Sequence, residues 1–113
     1  MRENECSQVV TTTDSAEDAE RLARGVVEAR LGACAQVHGP IRSVYRWQDE
    51  VRAESEWQVV VKTTTARVPG LIAHLAAAHG YDVPEIIATP ITAGHSAYLD
   101  WVRSETGREP GGQ

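Results

Sequence analysis

The chain has 113 residues, enough for one domain with one core, and a domain of this size buries roughly two thirds of the surface its unfolded chain exposes. A hydrophobic fraction of 42% and a charged fraction of 24% are ordinary for a globular protein and exclude an intrinsically disordered chain outside the ends. A formal net charge of -5, with no cluster of Lys and Arg, excludes the basic footprint of a nucleic-acid binder.

Met1 to Cys6 carries no apolar run of the signal-peptide kind, and no stretch of about 18 apolar residues occurs, so the expectation is a cytoplasmic location and no membrane partner. Cys6 and Cys34 form no Cys-x-x-Cys pair and read as reduced thiols. Val9, Val10 and Thr11 to Thr13 predict a first strand, because β-branched residues suit a half-buried pleated surface. Asp14 with Glu17 three residues on has the form of a capping box. Ala19, Leu22, Ala23, Val26 and Val27 then make one apolar stripe of a helix over about Ser15 to Leu31, which Gly32 ends. Ala33 to Val37 opens a second strand that Gly39-Pro40 interrupts before it resumes over Ile41 to Trp47, predicting a bent or bulged strand.

Gln48-Asp49-Glu50 is a polar turn, and Val51 to Thr65 is the longest strand candidate, with Trp57, Val59 and Val61 on one face. A strand of roughly 15 residues exceeds the usual length, so the hairpin reaches past its own domain and leaves edges for another chain to cover. Pro69 suits the first turn of a second helix with Leu71, Ile72, Leu75 and Ala76 on its stripe, stopping near Gly80. A short run from Glu85 to Ala88, ended by Pro90, gives a fourth strand, and Gly94 leads into a last helix carrying Tyr98, Trp101 and Val102. The order is that of an α+β, ferredoxin-like (β-α-β-β-α-β) sandwich with a C-terminal helix and the helices on one face of an antiparallel sheet. It predicts one domain over residues 1–105 and a disordered tail over 106–113.

Leu22 to Val37, Ser43-Val44-Tyr45-Arg46-Trp47, Val61-Lys62-Thr63-Thr64, His79 to Ile86 and Tyr98-Leu99-Asp100-Trp101-Val102, in that order and spacing, resemble the CutA family of divalent-cation tolerance proteins from Val9 to Val102. The resemblance implies a ferredoxin-like subunit in a tight homotrimer whose long strands pair between chains, similar in architecture to trimeric nitrogen-signalling proteins. It also implies a link to copper and other divalent metals, and no established reaction. Copper ligands described for the family fall on Thr11, Ala78 and His79, and of these only His79 has a ligand side chain. One imidazole makes no tight site, so the cofactor expectation is at most weakly held Cu(II) or another divalent cation at His79. Cys34 reads as a buried structural thiol, His95 equally as a helix-start hydrogen-bonder or a ligand, and His38 and His74 as surface histidines without metal-binding partners.

The alternative reading is a trimeric small-molecule-binding or signalling scaffold with no direct metal role. Its pocket lies where subunits meet and is formed by Trp47, Lys62, Tyr81, Glu85 and Trp101, with Lys62 and Glu85 facing each other at strand ends to hold a carboxylate or phosphate, or simply each other. Neither a Ser/His/Asp order, a glycine-rich phosphate loop nor a pair of pocket carboxylates presents itself, so the chain reads as a non-enzyme.

Overall fold

The computed structural model describes residues 5–106. Its elements are β1 (Cys6–Thr13), α1 (Ala16–Glu28), β2 (Cys34–Trp47), β3 (Glu50–Thr64), a single 3-10 turn at Thr65–Arg67, α2 (Val68–Ala78), β4 (Ile86–Ile91) and α3 (Ser96–Thr106). The strands form one antiparallel sheet in the order β2-β3-β1-β4, so β1 lies between β3 and β4.

Alternation along the strands separates two faces. Val9, Val59 and Val61 point to α1 and α2, where they meet Ala19, Leu22, Val26, Leu71 and Leu75 in one core. Burying a Leu or Val side chain of this kind contributes roughly 1.5 to 3 kcal/mol, so this stripe-on-sheet contact is the main support of the fold. The expectation that the helices share one face holds for α1 and α2 and fails for α3. That helix lies across the opposite face at the Cys6 end of β1, packing Val102 and Leu99 on Cys6, Ala33 and Ile91. Thr106, expected in the tail, closes α3 and is fully buried, its hydroxyl donating to the Val102 carbonyl at 2.7 Å. The remainder of the expected tail, residues 107–113, lies outside the described residues.

Three local expectations shift. The N-cap of α1 is Ser15, whose hydroxyl accepts the Asp18 N–H at 3.0 Å; Asp14 plays no capping role. The helix closes at Glu28, not Leu31, in a Schellman motif: Arg30 takes the left-handed conformation (φ 60), its N–H bonds the Val27 carbonyl at 3.1 Å, and the Leu31 N–H bonds the Val26 carbonyl at 3.0 Å. Gly32 is required for space instead, since a Cβ there would stand 2.5 Å from Val61 Cγ1. Pro90 lies within β4 opposite Ser7, which an edge strand tolerates because its outer N–H positions need no partner.

The interruption at Gly39-Pro40 is a bulge between His38 and Ile41 in an otherwise continuous β2, and a side chain at Gly39 would collide with the Trp57 indole. Gln48 and Asp49, both at positive φ (51 and 65), form the two-residue turn of the β2–β3 hairpin. β1 pairs with β3 only from Trp57 to Thr64, so residues 50–56 of β3 have β2 as their one described partner and the hairpin projects past the sheet.

Candidate functional site

One side chain holds the loop after α2 to the sheet. His79 Nε2 lies 2.8 Å from the Thr12 carbonyl oxygen, and Nδ1 accepts the Tyr81 backbone N–H at 3.1 Å. A ring nitrogen that accepts an N–H carries no proton, so the network assigns the neutral Nε2–H tautomer, which donates to Thr12. The Tyr81 ring packs on the imidazole with centroids 4.9 Å apart. Beside this clamp, Thr13 Oγ1 donates to Asp18 at 2.7 Å, Arg21 pairs with Asp18 at 2.7 Å, and Arg21 Nη2 donates to the Ala78 carbonyl at 2.9 Å. The Thr13 hydroxyl first, with Arg21 adding to it, holds the Asp18 carboxyl below its ordinary value against the opposing cost of burial.

From this anchored loop a cleft of about 640 Å³ opens toward the projecting hairpin. The bulge and the register below it put Ile41 opposite Glu56, Ser43 opposite Glu54 and Tyr45 opposite Arg52. Ser43, Tyr45 and Trp47 of β2 therefore share one face with Arg52, Glu54 and Glu56 of β3, and all six line the cleft, facing Tyr81, Asp82 and Glu85 of the loop. Tyr81 donates its hydroxyl to Glu56 Oε2 at 2.8 Å and Tyr45 donates to Glu54 Oε1 at 2.6 Å. Burial first, then the Glu56 bond, pushes the Tyr81 hydroxyl well above the ordinary phenol range, and the Glu54 bond raises that of Tyr45. Both phenols stay protonated donors at neutral pH.

Of the five pocket residues read from the sequence, the structure brings Trp47, Tyr81 and Glu85 to this cleft and leaves two elsewhere. Lys62 is level with Gln8 on β1 and donates to Gln36 Oε1 at 2.8 Å, whereas Glu85 precedes Ile86, which is level with Thr11. With β1 between their strands and Glu85 four residues from the level of Lys62, the two do not meet within one chain. Trp101 sits on α3, whose contacts lie at the Cys6 end of the sheet, away from the cleft at the Thr12 end. It is 42% exposed and packs on Tyr98 with ring centroids 5.7 Å apart, so it is no core anchor of the single chain. Tyr45, Arg52, Glu54, Glu56 and Asp82 were missed. Period-two alternation along Ser43-x-Tyr45-x-Trp47 and Arg52-x-Glu54-x-Glu56 carried the signal for the hairpin residues among these and for Ser43, which were not linked to Trp47.

The residues present do not fit a dedicated metal centre. Thr11 is fully buried with no partner for its Oγ1, Ala78 offers a methyl group, and both nitrogens of His79 are engaged. Cys34 Sγ lies 3.3 Å from the Tyr98 hydroxyl, which is raised to about 12 chiefly by that contact. Among the described residues no three His, Cys, Asp or Glu side chains converge to hold a metal ion.

A four-stranded antiparallel sheet with two helices on one face, a third across the other and a hairpin overshooting its end defines a small ferredoxin-like α+β protein with a ligand-sized cleft. The family model described as CutA1 divalent ion tolerance protein matches residues 7–105, and the chain belongs to that family. It is 46% identical over 99 residues to the divalent-cation tolerance protein CutA of Thermus thermophilus, covering 88% of this chain and 96% of that protein. It is 39% identical over 98 residues to the chloroplastic protein CutA of Arabidopsis thaliana, covering 87% of this chain and 54% of the relative. A solved structure described as the periplasmic divalent cation tolerance protein CutA of Archaeoglobus fulgidus superposes with a TM-score of 0.86 at 32% identity, covering 89% of this chain and 98% of that one. These names describe tolerance to divalent cations and state no reaction. They also overturn the cytoplasmic expectation: relatives of this fold are described as chloroplastic and periplasmic, so the family does not carry a single compartment and the first six residues are no basis for one.

Proposed function

We propose that the protein acts as a homotrimer of the divalent-cation tolerance type and takes part in the response to metal ions without a tight copper centre. The observation carrying this reading is the projecting hairpin, on which Val44 and Val51 are 68% and 65% exposed. Apolar surface on a strand pair that outruns its own sheet is a surface for another chain. Ile87, Tyr98 and Trp101 add exposed apolar area on the face that α1 and α2 leave open. Cu(II) binds weakly and through His79 alone, because a metal at Nδ1 must displace the Tyr81 N–H and a metal at Nε2 must displace the Thr12 carbonyl. Light scattering should return three times the 12.3 kDa of the chain, and titration calorimetry should return weak Cu(II) binding that His79→Ala abolishes. A stable monomer, or tight copper binding that survives His79→Ala, sinks the reading.

The cleft favours a second reading, in which the trimer is a small-molecule-binding or signalling scaffold with Trp47, Tyr81 and Glu85 in its ligand site and no direct metal role. A thermal-shift panel of metals and metabolites separates the two, since a ligand at 100 times its Kd adds about 2.7 kcal/mol.

A further inference from the structure

The charge of the cleft is the reverse of what a Lys62-centred pocket would offer. Glu54, Glu56, Asp82 and Glu85 line it against the single guanidinium of Arg52, which leans toward Glu50 at 3.5 Å. A concave surface lined by one sign of charge concentrates ligands of the other sign. Glu56 is only 9% exposed, and its Oε2 takes the Tyr81 hydroxyl. Drawing a carboxylate this far out of water is costly, and an N–H donor of positive charge offsets that cost. Trp47, Tyr45 and Tyr81 add the aromatic surface over which an ammonium or guanidinium group is attracted by the ring quadrupole. The carboxylates are spread along the walls and do not converge in the way a metal ion needs, which fits an extended cation better than a point charge. Arg52 Nε, buried without a partner, asks for one acceptor oxygen as well.

Resting on the ligand-cleft reading above, we propose that this cleft binds a small organic cation, an alkyl amine or guanidine that also carries a carbonyl or hydroxyl oxygen. The test is titration calorimetry on the intact protein with L-argininamide as the cationic probe and succinate as the anionic one, at two ionic strengths. Argininamide should bind, bind less well at high salt, and lose roughly tenfold or more in affinity in Glu56→Gln and in Trp47→Leu. Glu54→Gln, at a more exposed position and in a melt-checked protein, guards against a folding defect in Glu56→Gln and should weaken binding in the same direction. Succinate binding that Arg52→Gln weakens would overturn the cation while leaving the ligand cleft standing. No binding of either probe, or argininamide binding indifferent to Glu54, Glu56 and Trp47, would overturn both, the latter because the ligand then sits elsewhere.

Discussion

His79 is the position at which the sequence resemblance leads one to expect a metal ligand, and the geometry gives it a structural task that a metal-free measurement isolates. His79→Ala removes the bond to the Thr12 carbonyl and the bond from the Tyr81 N–H, 2.8 and 3.1 Å long. Each contributes about 1 kcal/mol net, and the lost packing on the Tyr81 ring about 0.5 to 1.5 kcal/mol more. The variant should therefore be less stable by about 2 to 3 kcal/mol, which lowers Tm by roughly 10 °C in a domain of this size. The assay is thermal unfolding in the presence of a chelator, with amide hydrogen exchange read at Tyr81, whose N–H should lose protection as the loop comes loose. A residue kept only to hold a metal contributes nothing to stability once the metal is gone. If His79→Ala melts within about 2 °C of the parent and the Tyr81 amide exchanges as before, the clamp does not operate and the weak-copper argument loses its physical basis.

Thr11→Val, which replaces a fully buried and unpartnered hydroxyl with a methyl group, should raise stability by about 1 kcal/mol in urea unfolding. Gly32→Ala should cost about 1 to 3 kcal/mol through the collision with Val61, and Gly32→Ala with Val61→Ala together should lose less than the two single changes summed. Asp18 has its carboxyl lowered in the folded state, so its contribution is present above the ordinary value of 3.8 and is lost as pH falls through the lowered one; the deficit of Asp18→Asn in urea should be full at neutral pH and shrink below 3.8. Trp101→Ala, at a position 42% exposed in the single chain, should leave the secondary structure by circular dichroism intact and shift the equilibrium from trimer to smaller species in sedimentation velocity.

The strands and helices were legible because their periods are clean. Trp57, Val59 and Val61 alternate, Leu22 and Val26 recur at helical spacing, and Gly39-Pro40 marks the bulge. What misled was residue chemistry with two uses. Asp14 and Ser15 are both competent caps, and only the geometry selects Ser15. Gly32 suggested a left-handed helix end, while Arg30 takes that conformation and the glycine makes room for Val61. Pro90 signalled a strand end that an edge strand does not require. Within one chain, the separation of Lys62 from Glu85 was legible without coordinates: a ferredoxin-like order puts β1 between β3 and β4, so side chains of those two strands are not neighbours in one sheet. The orientation of α3, by contrast, has no local signal. Val102 and Leu99 are apolar on either face, and contacts from Cys6, Ala33 and Ile91 decide which one they cover.

The projecting hairpin joins the assembly reading to the ligand reading through the strand period itself. Because successive side chains alternate, the face of the hairpin that carries Arg52, Glu54 and Glu56 into the cleft leaves Val51 and Ala53 on the other, where Val51 is 65% exposed. A one-residue slip of β3 against β2 would exchange the two sets, putting carboxylates on the apolar side and apolar groups into the cleft. The register is held at both ends, by the two-residue turn at Gln48-Asp49 and by the bulge that seats Gly39 against Trp57. One pair of strands with that register can therefore present an apolar surface to a neighbouring chain and an acidic, aromatic one to a ligand at the same time, and the second is kept in shape by His79, which fixes Tyr81 opposite Glu56.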